Sequence, residues 1–129
     1  MIPNMTAVTA AIIIKDEKIL ICRRPENKSL GGKWEFPGGK IERGETPREC
    51  LRRELKEELS IDAEIGDCFD VLTFYGDRDI ILSFFYVNIV SGEITPTEHS
   101  DVRFVDRKEL LSFDLCPSDT EIARRLANM

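Results

Sequence analysis

The chain has 129 residues, a formal net charge of -6 and a pI near 4.9, an acidic balance that excludes docking on a DNA or RNA backbone, where affinity comes largely from Lys and Arg displacing counterions. With 42% hydrophobic and 33% charged residues it falls in the soluble globular class, and its length suits one compact domain over 1–129 with its own core. An anionic small ligand would then need a local remedy for the overall charge, either a metal or a basic pocket.

Residues 6–14 and 18–23 are rich in β-branched residues and flank the polar turn Lys15-Asp16-Glu17-Lys18, which predicts a β-hairpin. The apolar run 7–14 is short and lacks a basic leader, so it reads as a buried strand rather than a signal peptide or membrane span. Residues 25–33 are polar with a Gly31-Gly32 pair, and Trp34-Glu35-Phe36-Pro37-Gly38-Gly39 brings two aromatics to a second flexible turn, a composition suited to a pocket wall. Thr46-Pro47-Arg48-Glu49 predicts a helix start, with Thr as N-cap, Pro at the first helical position and Glu closing a capping box; the helix should run to about Leu59. Runs at 69–75 and 80–90, separated by Gly76-Asp77-Arg78-Asp79, predict a second hairpin that ends at Ser91-Gly92-Glu93. A short strand at 102–105, a short helix capped at Asp106, and a final helix capped at Ser118 and bearing Ile122 and Leu126 complete the reading. Hairpins interrupted by one long helix and closed by helices favour an α/β fold, a mixed sheet sandwiched between helices. Cys22, Cys50, Cys68 and Cys116 show no CxxC pairing or zinc-like spacing and are expected as reduced thiols of a cytoplasmic protein.

On a helix turning about 100° per residue, Leu51, Leu55 and Leu59 share one stripe, and Glu54, Glu57 and Glu58 occupy a neighbouring arc roughly 100° wide. At i,i+3 and i,i+4 spacing these carboxylates repel one another by about a few tenths of a kcal/mol even when solvated. A divalent cation would remove that repulsion, because Mg²⁺ takes oxygen ligands from a few carboxylates plus phosphates and water. A plain amphipathic helix is the competing reading, with Arg53 and Glu57 as an ordinary i,i+4 pair. The surrounding spacing decides between them. Gly39 is followed after five residues by Glu45 and after seven more by Arg53-Glu54-Leu55-Lys56-Glu57-Glu58-Leu59-Ser60-Ile61, and the six matching polar or Gly positions would coincide at roughly 10⁻⁷ per window by chance.

This stretch resembles the Nudix box of the Nudix hydrolase superfamily, which implies a Nudix fold and metal-dependent cleavage of nucleoside diphosphates linked to another group. The segment 34–42, with Arg23-Arg24, Glu98-His99 and Pro117-Ser118-Asp119, resembles the MutT-like branch, whose members convert nucleoside triphosphates, oxidised ones included, to monophosphate and pyrophosphate. By resemblance Glu54, Glu57, Glu58 and the Gly38 carbonyl would ligate Mg²⁺ or Mn²⁺. Glu54 is the first candidate for the base and Glu98 the second, with an exposed loop acid as the bland alternative for Glu98. Arg53 would orient Glu57 or the loop ahead of the helix, and Glu45 would support the metal site or the helix start. Arg24, Trp34, Glu35, Phe36, Pro37 and Asp119 would surround the nucleotide, Phe36 stacking on the base unless it serves only the core, and Asp119 reading its edge.

Oxidised-guanine readers of this branch often carry Asn where this chain has Asp119, and an ionised Asp only accepts; this weakens a purine substrate and admits cytosine nucleotides. His99 reads as a hydrogen-bonding loop residue. Ser60 replaces the usual Gly after the helix, a left-handed position bearing on stability rather than chemistry. Proline is absent between Pro47 and Pro96, against the ADP-sugar type, and Tyr75 leaves a dinucleoside polyphosphate activity open. The expected partner is a small nucleotide, with no nucleic-acid polymer and no membrane, for a monomer or a homodimer. A Nudix-fold module that binds a nucleotide without cleaving it is the alternative of another class, opposed by the intact glutamates.

Overall fold

The computed structural model describes residues 5–129. Strands β1 (Met5–Lys15) and β2 (Lys18–Arg23) are joined by a turn whose Asp16 and Glu17 both have positive φ, 51° and 66°. Their antiparallel pairing holds only at Ile14↔Ile19 and Lys15↔Lys18 before the strands part. From there β1 runs parallel to β6 (Asp79–Ser91), which pairs antiparallel with the edge strand β5 (Asp62–Phe74). On the other side β2 takes up β3 (Trp34–Glu35) and β7 (Asp101–Asp106), while β4 (Gly38–Lys40) returns to β1. The described strands thus form one mixed seven-stranded sheet.

Both faces of this sheet are covered, and residue parity sorts the apolar side chains between them. Ala10, Ile12, Ile19, Ile21, Leu82 and Phe84 face the final helix α2 (Thr120–Ala127), which supplies Ile122, Ala123 and Leu126. Ala11, Ile13, Leu20, Phe85 and Val87 face α1 (Pro47–Leu59), which supplies Leu51, Leu55 and Leu59. Burial on both sides is why β1 and β2 are nearly continuous apolar runs instead of alternating ones. The helix α1 begins as its local sequence dictates: the Thr46 side chain accepts from the Glu49 N–H, and the Glu49 carboxylate accepts from the Thr46 N–H. It ends at Ser60 in the left-handed region, φ 62° and ψ 31°.

Four expectations need correction. The second hairpin's first strand starts at Asp62 rather than 69, because register shifts at Ile65, Cys68 and Asp70 break the alternation that marks a strand. The pocket-wall segment contains two short strands, β3 and β4, flanking Phe36-Pro37. A 3₁₀ turn spans Arg107–Ser112, with Asp106 in the cap position but making no side-chain cap bond. Ser118 does not cap the last helix; it lies inside a second 3₁₀ turn, Pro117–Asp119, that leads into Thr120. The four cysteines are unpaired, and among the described residues no helix is long and apolar enough to cross a membrane.

Candidate active site

A cavity of about 380 Å³ lies where β1, β4 and α1 meet the loops after β2 and β6. Gly38 and Gly39 bring the β4 backbone against neighbours that leave no room for a side chain. A Cβ on Gly38 would overlap the Thr9 carbonyl, and one on Gly39 would overlap the Glu54 carboxyl group. The buried Thr9 and Cys50 hold this loop from beneath: Thr9 Oγ1 donates to the Gly39 carbonyl at 3.3 Å and Cys50 Sγ to the Lys40 carbonyl at 3.3 Å. Glu54 and Glu58, one helical turn apart on α1, line the same cavity.

Arg53 organises the carboxylates around it. Its Nε and Nη2 grip Glu45 at 2.6 and 2.9 Å, Nη1 donates to Glu54 at 2.9 Å and to Glu57 at 3.3 Å, and Nη2 reaches the Lys40 carbonyl at 3.2 Å. One guanidinium therefore ties the loop ahead of the helix to the helix itself. The same grip, with a Glu42 backbone N–H, holds the Glu45 carboxyl down at about 2. Glu58 lies under the opposite influence. Burial and the nearby Glu54, Glu35 and Glu98 push its carboxyl up to about 8, and its Oε2 is buried without a hydrogen-bond partner. Glu54 is raised as well, by burial against the pull of Arg53.

A second cluster joins the cavity from the opposite core. Glu35 on β3 accepts from Arg24 Nη1 at 3.0 Å and pairs with His99 Nε2 at 2.9 Å, so His99 bonds across to the sheet rather than within its loop. Phe36 is buried edge-to-face on Phe84 at 6.2 Å and still lines the cavity. Asp119 is only 4% exposed, and burial, then the charge of Glu35, push its carboxyl well above the usual range. This burial favours the protonated form of Asp119, which offers one donor and one acceptor where the ionised form only accepts.

Of the residues singled out from sequence, the cavity brings together Arg24, Glu35, Phe36, Gly38, Glu54, Glu58, Glu98 and Asp119. It does not include Trp34, Pro37, Arg53 or Glu57. Trp34 packs edge-on against Phe113 at 5.3 Å with Arg103 over its ring, and the Pro37 carbonyl accepts from the Ala11 N–H. Glu57 keeps 60% of its side-chain exposure and faces Arg53. Among the described residues, the group of three potential ligand side chains with all donor atoms within 4.8 Å is Glu35, Cys116 and Asp119, not the helix glutamates. Tyr75 is 79% exposed and stands outside the cavity. Thr9, Lys28 and Lys40 line it without having been singled out; a threonine inside an otherwise apolar strand was the available signal for Thr9.

A glycine-rich strand is thus laid against helix carboxylates beneath a covered mixed sheet. The NUDIX domain matches residues 5–126. CTP pyrophosphohydrolase of Escherichia coli (strain K12) is 38% identical over 117 residues, covering 90% of this chain and 87% of that protein. The 8-oxo-dGTP diphosphatase of Proteus vulgaris is 41% identical over 95 residues, covering 72% and 85%. In three dimensions the crystal structure of the MutT protein from Methanosarcina mazei Go1 superposes with a TM-score of 0.85 at 26% identity, covering 96% of this chain and 94% of that one. The chain belongs to the Nudix hydrolase family, whose members generally need a divalent metal.

Proposed function

We propose that this protein is a metal-dependent nucleoside triphosphate pyrophosphohydrolase, converting an NTP or dNTP and water to the monophosphate and pyrophosphate. The observation that carries the reading is the placement of Glu54 and Glu58 beside the Gly38-Gly39 strand, in the cavity that also holds Phe36 and Asp119. Relatives named for cleaving CTP and 8-oxo-dGTP support it.

Glu54, Glu58 and the Gly38 carbonyl, with Glu57 at the margin, would hold Mg²⁺ or Mn²⁺. The donor set is all oxygen, as a hard cation requires, and the orphaned Glu58 Oε2 among like charges is a group a cation would satisfy. Bound there, the metal would supply charge neutralisation on the phosphoryl oxygens and a more acidic water. Glu54 takes the proton of the attacking water, with Glu98 the second candidate, for about 10²–10⁴ in rate. Arg53 fixes the Glu54 carboxylate through Nη1. Phe36 offers the base an apolar surface, and Asp119, whose burial favours the protonated form, reads its edge. A protonated Asp119 would offer a donor and an acceptor, a pattern that suits cytosine, whereas an ionised one only accepts. The partner is thus a small nucleotide, handled in the cytoplasm.

The test is incubation with Mg²⁺ and a panel of canonical and modified NTPs and dNTPs. Pyrophosphate release from at least one, stopped by a chelator, is expected; release from none overturns the proposal.

A further inference from the structure

Five carboxylates line the cavity (Glu35, Glu54, Glu58, Glu98 and Asp119) against the cations Arg24, Lys28 and Lys40. A polyanionic substrate needs positive charge there that is free to meet it. Arg24 is already committed, with Nη1 on Glu35 at 3.0 Å and Nε on the Ser29 carbonyl at 2.8 Å. Lys40 follows directly on the Gly38-Gly39 pair. Lys28 stands apart from both: its Nζ is 3.8 Å from Glu98 Oε2, and the two side chains keep 48% and 56% of their exposure. An exposed pair at that separation is weak and easily exchanged.

The backbones on either side of this pair are fixed. The loop bearing Lys28 is closed at its base by Arg24 N–H to Lys33 O at 2.8 Å and Gly32 N–H to Arg24 O at 2.9 Å, and Lys28 N–H bonds Pro25 O at 3.1 Å. The loop bearing Glu98 is tied to the end of α1 by Thr97 N–H to Glu58 O at 2.9 Å and Thr95 N–H to Leu59 O at 2.8 Å. The Lys28–Glu98 pair joins the two loops through side chains, and the Thr97 bond to Glu58 O brings Glu98 close to the Glu58 carboxyl.

We propose that Lys28 binds the phosphate chain of the substrate and that Glu98 is its displaceable counter-ion, giving up the ammonium when a phosphate arrives. This rests on the polyphosphate substrate proposed above. The terminal phosphate group of the chain carries about -1.5 to -2 against -1 on Glu98 and competes for the same ammonium, so entry of the phosphate chain exchanges a 3.8 Å pair for a charge-assisted hydrogen bond. A monophosphate lacking the distal groups gains less from the exchange. Lys28 thereby favours the triphosphate over the monophosphate product.

Binding of inorganic tripolyphosphate by the full chain in the presence of Mg²⁺, followed calorimetrically, tests this without reference to any base or to turnover. Lys28→Met is expected to weaken binding about tenfold, the order expected for one charge-assisted hydrogen bond, and Lys28→Arg to restore most of it. Glu98→Gln is expected to tighten binding several-fold in the wild-type background and not in Lys28→Met, a coupling that general removal of negative charge would not produce. Absence of tripolyphosphate binding, unchanged affinity in Lys28→Met, or equal tightening by Glu98→Gln in both backgrounds overturns the proposal. Pyrophosphate release from nucleotides is read separately, so a chain that turns over while Lys28→Met binds normally refutes the role of Lys28 and leaves the hydrolase standing.

Discussion

Glu58 should weaken the fold that carries it, and replacing it by Gln should stabilise the protein while abolishing activity. Its carboxyl sits at about 8 in the folded chain against an ordinary 4.5. Below the ordinary value it is neutral in both folded and unfolded states and contributes nothing. As pH rises, the unfolded chain loses this proton while the folded chain retains it, so folding stability falls across the window and the loss is complete above about 8. At roughly 1.4 kcal/mol per pH unit the ceiling is about 5 kcal/mol, which relaxation and water penetration reduce to about 2–3 kcal/mol. For a chain of 129 residues, one kcal/mol moves Tm by about 4 °C. Thermal unfolding in a chelator should therefore place Glu58→Gln about 8–12 °C above wild type at pH 8.5 and within about 2 °C of it at pH 4.5. Asp119, also raised, gives both proteins the same slope and cancels in the difference. Added Mg²⁺ should close the gap by stabilising only the wild type. A Tm difference that is constant with pH, or that favours wild type at pH 8.5, refutes the reasoning.

Ser60→Gly relieves a left-handed φ of 62° and should raise Tm by about 2–4 °C, the αL penalty less the extra chain entropy of Gly, with kcat unchanged; scanning calorimetry and steady-state kinetics check both halves. Arg53→Lys keeps the charge but cannot hold Glu45, Glu54 and the Lys40 carbonyl at once. We expect kcat to fall about 10²-fold and the Mg²⁺ requirement to rise, and a variant within twofold of wild type would rule this role out. Asp119→Asn presents the donor and acceptor of a protonated acid, so the base preference should persist at the acid end of the pH range, where the raised Asp119 carboxyl keeps its proton. Because ionisation of the raised Asp119 carboxyl costs binding as pH increases, the variant's advantage in KM should grow toward alkaline pH; a base preference reversed at the acid end, or a KM difference flat with pH, would rule this role out.

What the sequence revealed depended on how local the cause was. Thr46, Pro47 and Glu49 announce the start of α1 because the capping box closes within four residues, and the Leu51, Leu55 and Leu59 stripe follows from helical period alone. The glutamate arc was legible for the same reason, yet only Glu54 and Glu58 face the cavity; Glu57, about 60° round the helix from Glu54 and about 100° from Glu58, is held outside by Arg53. Residues 62–68 escaped detection because bulges interrupt the period of two on an edge strand. Trp34 was grouped with Phe36 by adjacency, but Trp34 packs edge-on against Phe113 outside the cavity while Phe36 packs on Phe84 and lines it. The upward shift of the Asp119 carboxyl was beyond reach, since it depends on burial supplied by the whole fold and on Glu35, 84 positions earlier in the chain.

The bond that is cleaved, and the group that cleaves it, are read together by ³¹P NMR of a nucleoside triphosphate incubated with Mg²⁺ and either wild type or Glu54→Gln. Wild type should yield nucleoside monophosphate and pyrophosphate in equal amounts, and Glu54→Gln should leave the triphosphate intact while still binding it. Products of nucleoside diphosphate and orthophosphate, or undiminished turnover by Glu54→Gln, would contradict this.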